Sequence, residues 1–479
     1  MLLACNNGTQ PVRIAKSCAY TPHDTILATR FGDEEVWVLP TATRTTQPQP
    51  HPPVTRLIGR RLASTSTPAR LSLLRAVLIL LAVVFAVGGA FGVNRRANGI
   101  DDVRTASRQL LALQDIQVRI VHADAIASSS YLVGGQEDPA QRTSYLDEIA
   151  KAGDGLVAVS GAANNADLVR LSETSRLLGS YVGLVEQARA NNRQGFPVGA
   201  TYQRQANGII SNSDPDVADI VSSLQAVEAS QRDQINTRLA TAHRAGVWLQ
   251  ALGWLLVAAL LLGSLWMARM FHRVVNIPIA VAGLALVVVL VVGGAQQSGA
   301  ASDADDAVGN RVARADSAAQ ARAAAFEARS QEALTLINRG NGAANEANWL
   351  LGDDIVAKEL TAGLGNGTDL SDQATAAYDA YRLAHGEIRA LDDGGDWDGA
   401  VAVSIGKTPT SSGSNAVEVF DRFDRAVGQV AADEGSSAAQ LLTDAAAPLN
   451  SLRNIVFVAG LVVAALAALG CGQRLKEYR

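Results

Sequence analysis

Histidine and cysteine are the residues of this chain best suited to catalysis or metal binding, yet neither type stands in a recognised pattern. The histidines are scattered along the chain: His23, His51, His122, His243, His272 and His385. They lack the short spacings that bring two imidazoles to one metal ion. The sequence also has no Gly-x-Ser-x-Gly turn, no phosphate-binding glycine loop and no His-Glu-x-x-His motif. We therefore predict that the protein is not an enzyme and has no catalytic, cofactor-binding or metal-binding residues.

One acidic group resembles a calcium-binding loop at first sight. Its members are Asp392, Asp393, Asp396 and Asp398. An EF-hand loop needs oxygen ligands at positions 1, 3 and 5, but positions 3 and 5 counted from Asp393 are Gly395 and Trp397. The spacing instead predicts a turn between two helices, with Trp397 packed on the bundle.

Two histidines have surroundings in which they could titrate. His122 lies two residues before Asp124, and His243 lies close to an apolar run. A histidine beside a carboxylate can act as a pH sensor. We expect these side chains to lie on solvated helix faces.

The elements that position these residues lie largely in a membrane. The chain is 48% hydrophobic, only 18% charged, and has a mean hydropathy of +0.11. It contains four apolar runs without an ionisable residue, each close to the length that crosses a bilayer as a helix. They cover 76–93, 247–268, 274–295 and 455–472. The net charge of −5 argues against nucleic-acid binding, and three cysteines cannot form a disulfide framework.

Basic residues near the span ends predict the topology. They stand before the first run, between the second and third, and after the fourth, so these segments should be cytoplasmic. The two long segments between the runs carry net charges of −2 and −12. We therefore expect a multi-pass plasma-membrane protein with both termini inside and both long segments outside. Arg95 and Arg96 are exceptions to this rule.

The two halves of the chain have the same plan, which predicts a tandem duplication. Gly88-Gly89-Ala90 recurs as Gly293-Gly294-Ala295, and Gly195 to Ala200 parallels Gly395 to Ala400. Apolar residues at spacings of three and four predict helices in both long segments. The fold class is thus an all-α membrane protein: four transmembrane helices with two duplicated extracytoplasmic helical bundles, similar to four-helix-bundle sensors.

Local signals predict several helix ends and contacts. Gly134-Gly135 should end the first long helix, Asp214-Pro215 should open the last helix of the first half, and Ser412 to Asn415 should do so in the second half. Small residues such as Gly460 should allow close approach of the spans.

These observations divide the chain into nine segments. The long segments are 94–246 and 296–454, and the spans with their flanks are 71–93, 247–268, 274–295 and 455–472. The remainder should be cytoplasmic: a basic, disordered tail at 1–70, a loop at 269–273 and a tail at 473–479. An alternative for the proline- and threonine-rich first 66 residues is a misassigned start, with Val54 as one candidate.

The architecture from Leu71 to Arg479 resembles the actinobacterial four-pass membrane proteins called GlnX. The features that match are the two long helical segments, the short basic loop from Ala268 to Asn276 and the small cytoplasmic portion. The resemblance implies a relay. A GlnH-like, amino-acid-binding lipoprotein reports acidic or amide amino acids outside the cell, and the membrane protein passes this state to a PknG-like cytoplasmic Ser/Thr kinase.

The cytoplasmic segments offer a small set of contact residues for such a partner. They are Arg269, His272, Arg273, Arg474, Lys476 and Arg479. Simple topology anchoring by these charges is an equal alternative. Direct sensing of a small ligand by the outer bundles and a scaffold role in the envelope also remain open. Transport is disfavoured because the spans contain no ionisable group.

Overall fold

The computed structural model describes residues 67–476, except 136, 213, 215, 272–275 and 366–367, and gives only the backbone of Thr67, Phe271 and Lys476. Within the described residues, the first half contains five helices. They are α1 (Thr67–Val133), α2 (Pro139–Ser160), α3 (Asn165–Arg193), α4 (Val198–Ile210) and α5 (Ile220–Phe271). The predicted tail at 1–66 lies outside the described residues.

The second half repeats the order of long, intermediate, intermediate, short and long helices. Its helices are α6 (Ile277–Asp306), α7 (Ala313–Ile337), α8 (Ala343–Lys358), α9 (Asp369–Asp393), α10 (Trp397–Ser404) and α11 (Ala416–Lys476). A π-helical turn at Ala307–Val312 joins α6 to α7 without a break, and a second one at Glu359–Leu364 extends α8. The tandem duplication stays a prediction, which this shared order favours.

In the part of the chain that the structure describes, four continuous helices are long and apolar enough to cross a membrane: Pro68–Val133, Ile220–Met270, Ile277–Ile337 and Ala416–Leu475. Three of them contain a whole predicted span, the helix from Ile277 begins inside the predicted span 274–295, and all four continue far beyond their spans at one end. No strand occurs among the described residues. The predicted all-α, multi-pass membrane fold is therefore confirmed.

Most predicted helix ends are confirmed, with one correction. Val133 is followed by Gly134 and Gly135, whose φ angles of 65° and 63° suit glycine. Asn415 caps α11 by accepting from Val417 N at 2.9 Å. The prediction that Asp214-Pro215 opens α5 is wrong. That helix begins at Ile220, because Asp219 accepts from Ser222 N at 2.7 Å and supplies the cap instead.

The helices of both halves share one core above the spans. Ile120 and Tyr181 from the first half belong to the same buried apolar cluster as Phe326, Tyr381 and Phe420 from the second. Phe420 lies 5.2 Å from Phe326 and 5.0 Å from Tyr381 between ring centroids. The two long segments therefore pack as one body instead of two separate bundles.

The spans contact one another through a second apolar cluster, which includes Leu78, Leu249, Leu286 and Val456. Gly460 of α11 faces α1 so closely that a Cβ atom there would lie 2.5 Å from Ala86 Cβ. This contact confirms the predicted role of Gly460 in the close approach of two spans.

Candidate functional site

The two halves meet where α1 lies beside α7, and polar side chains are buried at this contact. The Oγ atoms of Ser128 and Ser330 lie 3.1 Å apart, and Ser330 donates to Asp124 Oδ2 at 2.5 Å. Asn207 Nδ2 of α4 donates to the same carboxylate oxygen at 2.8 Å. We name Asp124, Ser128, Asn207 and Ser330 the seam cluster. It joins both halves inside their shared core.

The prediction that His122 and Asp124 lie on a solvated face is wrong. Asp124 is 1% exposed because it stands four residues after Ile120 and three before Ala127, on the apolar face of α1. His122 stacks on Phe326 of α7, with 4.2 Å between ring centroids. Burial lowers the pKa of His122 to about 4, so its imidazole is neutral at physiological pH. His243, in contrast, is partly exposed near Asp305.

Further hydrogen bonds extend the seam cluster through α4, α7 and α8. Gln203 donates to Ser128 Oγ at 3.1 Å, and Gln331 donates to Asn207 Oδ1 at 3.1 Å. Asn345 of α8 donates to Gln331 Oε1 at 2.7 Å. A change in the position of one of these helices therefore disturbs partners on the others.

Two carboxyl groups at the contact between α1 and α7 have pKa values above those they would have in water. Burial raises the pKa of Asp124, although hydrogen bonds from Ser330 and Asn207 act in the opposite direction. Burial, together with the carboxylates of Asp219 and Asp124, raises the pKa of Glu327 to about 7.

A second buried polar cluster lies within the second half. Glu332 Oε2 lies 2.9 Å from His385 Nδ1 and accepts from Tyr381 at 3.1 Å. The other imidazole nitrogen lies 3.2 Å from Glu346 Oε1, and Trp349 stacks on the ring. Burial disfavours the imidazolium, but the two glutamates outweigh it and raise the pKa of His385. This cluster ties α7, α8 and α9 together.

A charged triad lies closer to the membrane and again joins the two halves. Arg232 of α5 binds Asp316 of α7 at 2.6 Å and Glu228 Oε2 of its own helix at 3.0 Å. Gln114 of α1 donates to the same Asp316. Burial raises the pKa of Glu228 to about 7 in spite of the neighbouring guanidinium. We name Glu228, Arg232 and Asp316 the charged triad.

Arg96, an exception to the topology rule, has a structural explanation at the edge of the spans. It is 6% exposed, and its Nη1 donates to Gln297 of α6 at 3.5 Å. Gly246 of α5 makes room for it, because a Cβ at that position would collide with the guanidinium. Arg96 thus links three long helices where they leave the apolar region.

The acidic group at 392–398 forms the predicted turn. Arg389 binds Asp392 and Asp393, each at 2.6 Å, and Asp396 caps α10 by accepting from Gly399 N. Trp397 donates to Leu336 O at 2.8 Å and packs on the bundle. Among the described residues, no group of three or more His, Cys, Asp and Glu side chains could hold a metal ion.

The residues predicted to contact a cytoplasmic partner lie at the ends of α5 and α11 or beyond them. Arg269 is exposed near the end of α5, and Arg474 is partly buried near the end of α11. Lys476 is the last residue of α11, whereas His272, Arg273 and Arg479 lie outside the described residues. Their role in partner binding stays a prediction.

Residues 99–240 match a family model described as the actinobacterial sensor domain. The matched segment begins on α1 above the first span and ends on α5 before the second. It therefore covers the bundle portion of the first half, including Asp124 and the α5 members of the charged triad. No curated protein and no solved structure matches the chain. The match and the four apolar helices support a sensor role in signalling for a multi-pass membrane protein.

Proposed function

We propose that this chain is a non-enzymatic transmembrane relay. It couples the availability of amino acids outside the cell, reported by a solute-binding lipoprotein, to a cytoplasmic Ser/Thr protein kinase. One observation carries the proposal: each of the four helices that can span the membrane continues into the shared core, α6 through the π-helical turn at Ala307–Val312 and α11 through Pro448. A displacement of the core can therefore reach the other end of the span along a continuous helix.

The buried polar contacts suit a relay because they favour discrete arrangements. A buried hydrogen-bonding group that loses its partner costs free energy, so intermediate positions of the helices are disfavoured. The seam cluster, the charged triad and the Arg96–Gln297 contact lie at successive levels along α1. A small sliding or rotation of the halves would have to exchange partners at all three levels together.

The relay requires partners on both sides of the membrane. The charge distribution favours a bundle outside the cell, where its surface would meet the amino-acid-binding lipoprotein. The kinase would contact the inner ends of α5 and α11, where Arg269, Arg474 and Lys476 lie. Both partners follow from the resemblance to the GlnX proteins.

The relay is tested in a deletion strain. External glutamate or aspartate is added, and the phosphorylation of the cytoplasmic kinase's targets is followed by quantitative mass spectrometry. We expect the response to disappear on deletion and to return with the wild-type gene on a plasmid. A deletion strain that responds like the wild type would rule the relay out.

The orientation is tested separately with reporter fusions after Ala200, Arg269 and Gly399. We expect a cytoplasmic reporter to be active only after Arg269. Activity of such a reporter after Ala200 or Gly399 would contradict the proposed arrangement.

A further inference from the structure

A polar cavity of about 280 Å³ lies at the contact between the halves. Gln114 and Gln117 of α1, Gln225, Glu228 and Arg232 of α5, and Gln320 of α7 line it. Small-molecule sites commonly begin at about 300 Å³, so this space has the size of a site for a small ligand. Its four glutamines and single carboxylate distinguish it from the apolar packing that surrounds it.

Two side-chain oxygens at this cavity lack hydrogen-bond partners among the described residues. Gln114 uses its Nε2 to bind Asp316, which leaves its buried Oε1 without a donor. Glu228 uses Oε2 to bind Arg232, which leaves its buried Oε1 without a donor as well. Gln114 is 3% exposed and Glu228 is 2% exposed. When Glu228 is ionised both free groups are acceptors, so a ligand that fills this gap must donate hydrogen bonds.

The charged triad beside the cavity favours a cation when Glu228 is ionised. Arg232 is the single positive group of the charged triad and is already bound to both Glu228 and Asp316. With both carboxyl groups ionised, the triad carries a net charge of −1, and the other lining side chains are neutral amides or alanines. A metal ion is a poor match because hard cations prefer several carboxylates. The cavity is lined by one carboxylate, Glu228, and one of its two oxygens already binds Arg232.

We propose that this cavity binds a small primary ammonium ion, whose N–H groups donate to Glu228 Oε1 and Gln114 Oε1. Two of the three N–H donors of an ammonium group match the two free acceptors, and its positive charge balances the −1 of the triad with both carboxyl groups ionised. The cavity is bordered by α1 and α5 of one half and α7 of the other. Bound ammonium would therefore hold the halves in the arrangement seen here. This inference does not rest on the proposed kinase relay.

The test uses the purified full-length protein in lipid nanodiscs and amine-free phosphate buffer near neutral pH. Ethylammonium chloride is titrated by isothermal calorimetry, and the midpoint of thermal unfolding is followed in parallel. We expect saturable binding and a rising unfolding midpoint. Sodium chloride at equal concentration and tetramethylammonium, which has no N–H donor, should produce neither effect.

Two variants locate the site. Glu228→Gln keeps the shape of the side chain but removes its charge, so the Kd for ethylammonium should rise at least about tenfold. Asp233→Asn removes an exposed carboxylate from the same helix and should leave the Kd unchanged. The proposal fails if the wild type does not bind, if tetramethylammonium or sodium binds equally well, or if folded Glu228→Gln binds like the wild type.

Discussion

At the scale of single residues, the buried polar side chains are the feature that most distinguishes this bundle from an ordinary apolar one. Asp124, Glu228 and Glu332 are each no more than 2% exposed. Each is partnered by a different kind of group: hydroxyl and amide donors, a guanidinium and an imidazole respectively. The three carboxyl groups therefore respond differently to pH and to substitution.

Removing the carboxylate of the seam cluster should destabilise the fold. Asp124→Leu strands the donors of Ser330 and Asn207 inside the core, at a cost of about 1–3 kcal/mol for each. Denaturant unfolding followed by circular dichroism measures this loss. Asp102→Leu, on an exposed position of the same helix, is the matched control and should change stability little. Equal stability of the two variants would contradict the buried position of Asp124.

Glu228 should make the fold less stable as pH rises towards neutrality. Burial raises its pKa from the ordinary 4.5 to about 7 in the folded chain, so the folded state binds more protons than the unfolded state between these values. Stability from this residue is therefore lost as pH rises through that window. The Gln side chain of Glu228→Gln has no proton to lose in this range. The thermal unfolding midpoint of the variant minus that of the wild type should therefore grow as the pH rises from about 4.5 to about 7.

The measurement is thermal unfolding across that range in amine-free buffers, with Asp233→Asn as control. The difference between the control and the wild type should not depend on pH. A constant difference between Glu228→Gln and the wild type would show that the Glu228 pKa is not raised.

At the scale of helices, much of the fold is readable from the sequence. The charge-free runs locate the spans, the glycine pairs locate the end of α1, and the spacing of Ile220, Leu224 and Val227 gives the buried face of α5. The partners across the seam are not readable in this way. Our prediction of a solvated face for Asp124 missed its spacing of four from Ile120 and three from Ala127, and Ser330 stands 206 residues away with nothing local to link the two.

The close approach of α1 and α11 gives a prediction for the membrane portion. Gly460→Leu forces a side chain into Ala86, so we expect a loss of about 1–3 kcal/mol from strained packing. Gly283→Leu is the matched control, because no atom lies within 4 Å of a Cβ at that position. The thermal unfolding midpoints in one detergent should fall only for the first variant. Equal midpoints would contradict the close helix contact.

At the scale of the whole molecule, the central claim is that the two halves move relative to each other and that this motion carries the signal. The core shared by both halves and the polar contacts between them couple the positions of the halves, and the four long helices connect this core to the far ends of the spans. If this claim holds, a covalent link between the halves at the seam cluster must hold the phosphorylation of the kinase's targets at one level. It must do so although the link is far from the inner ends of the helices.

The most direct measurement places a disulfide at the seam. Ser128→Cys with Ser330→Cys replaces two hydroxyls whose oxygens lie 3.1 Å apart, close enough for a disulfide after small adjustment. The double variant complements the deletion strain, and kinase-target phosphorylation is followed after adding external glutamate or aspartate. Ser128→Cys alone is the control. We predict that the oxidised double variant gives a constant output which becomes responsive again after reduction; a cross-linked protein that responds like the control would contradict the account.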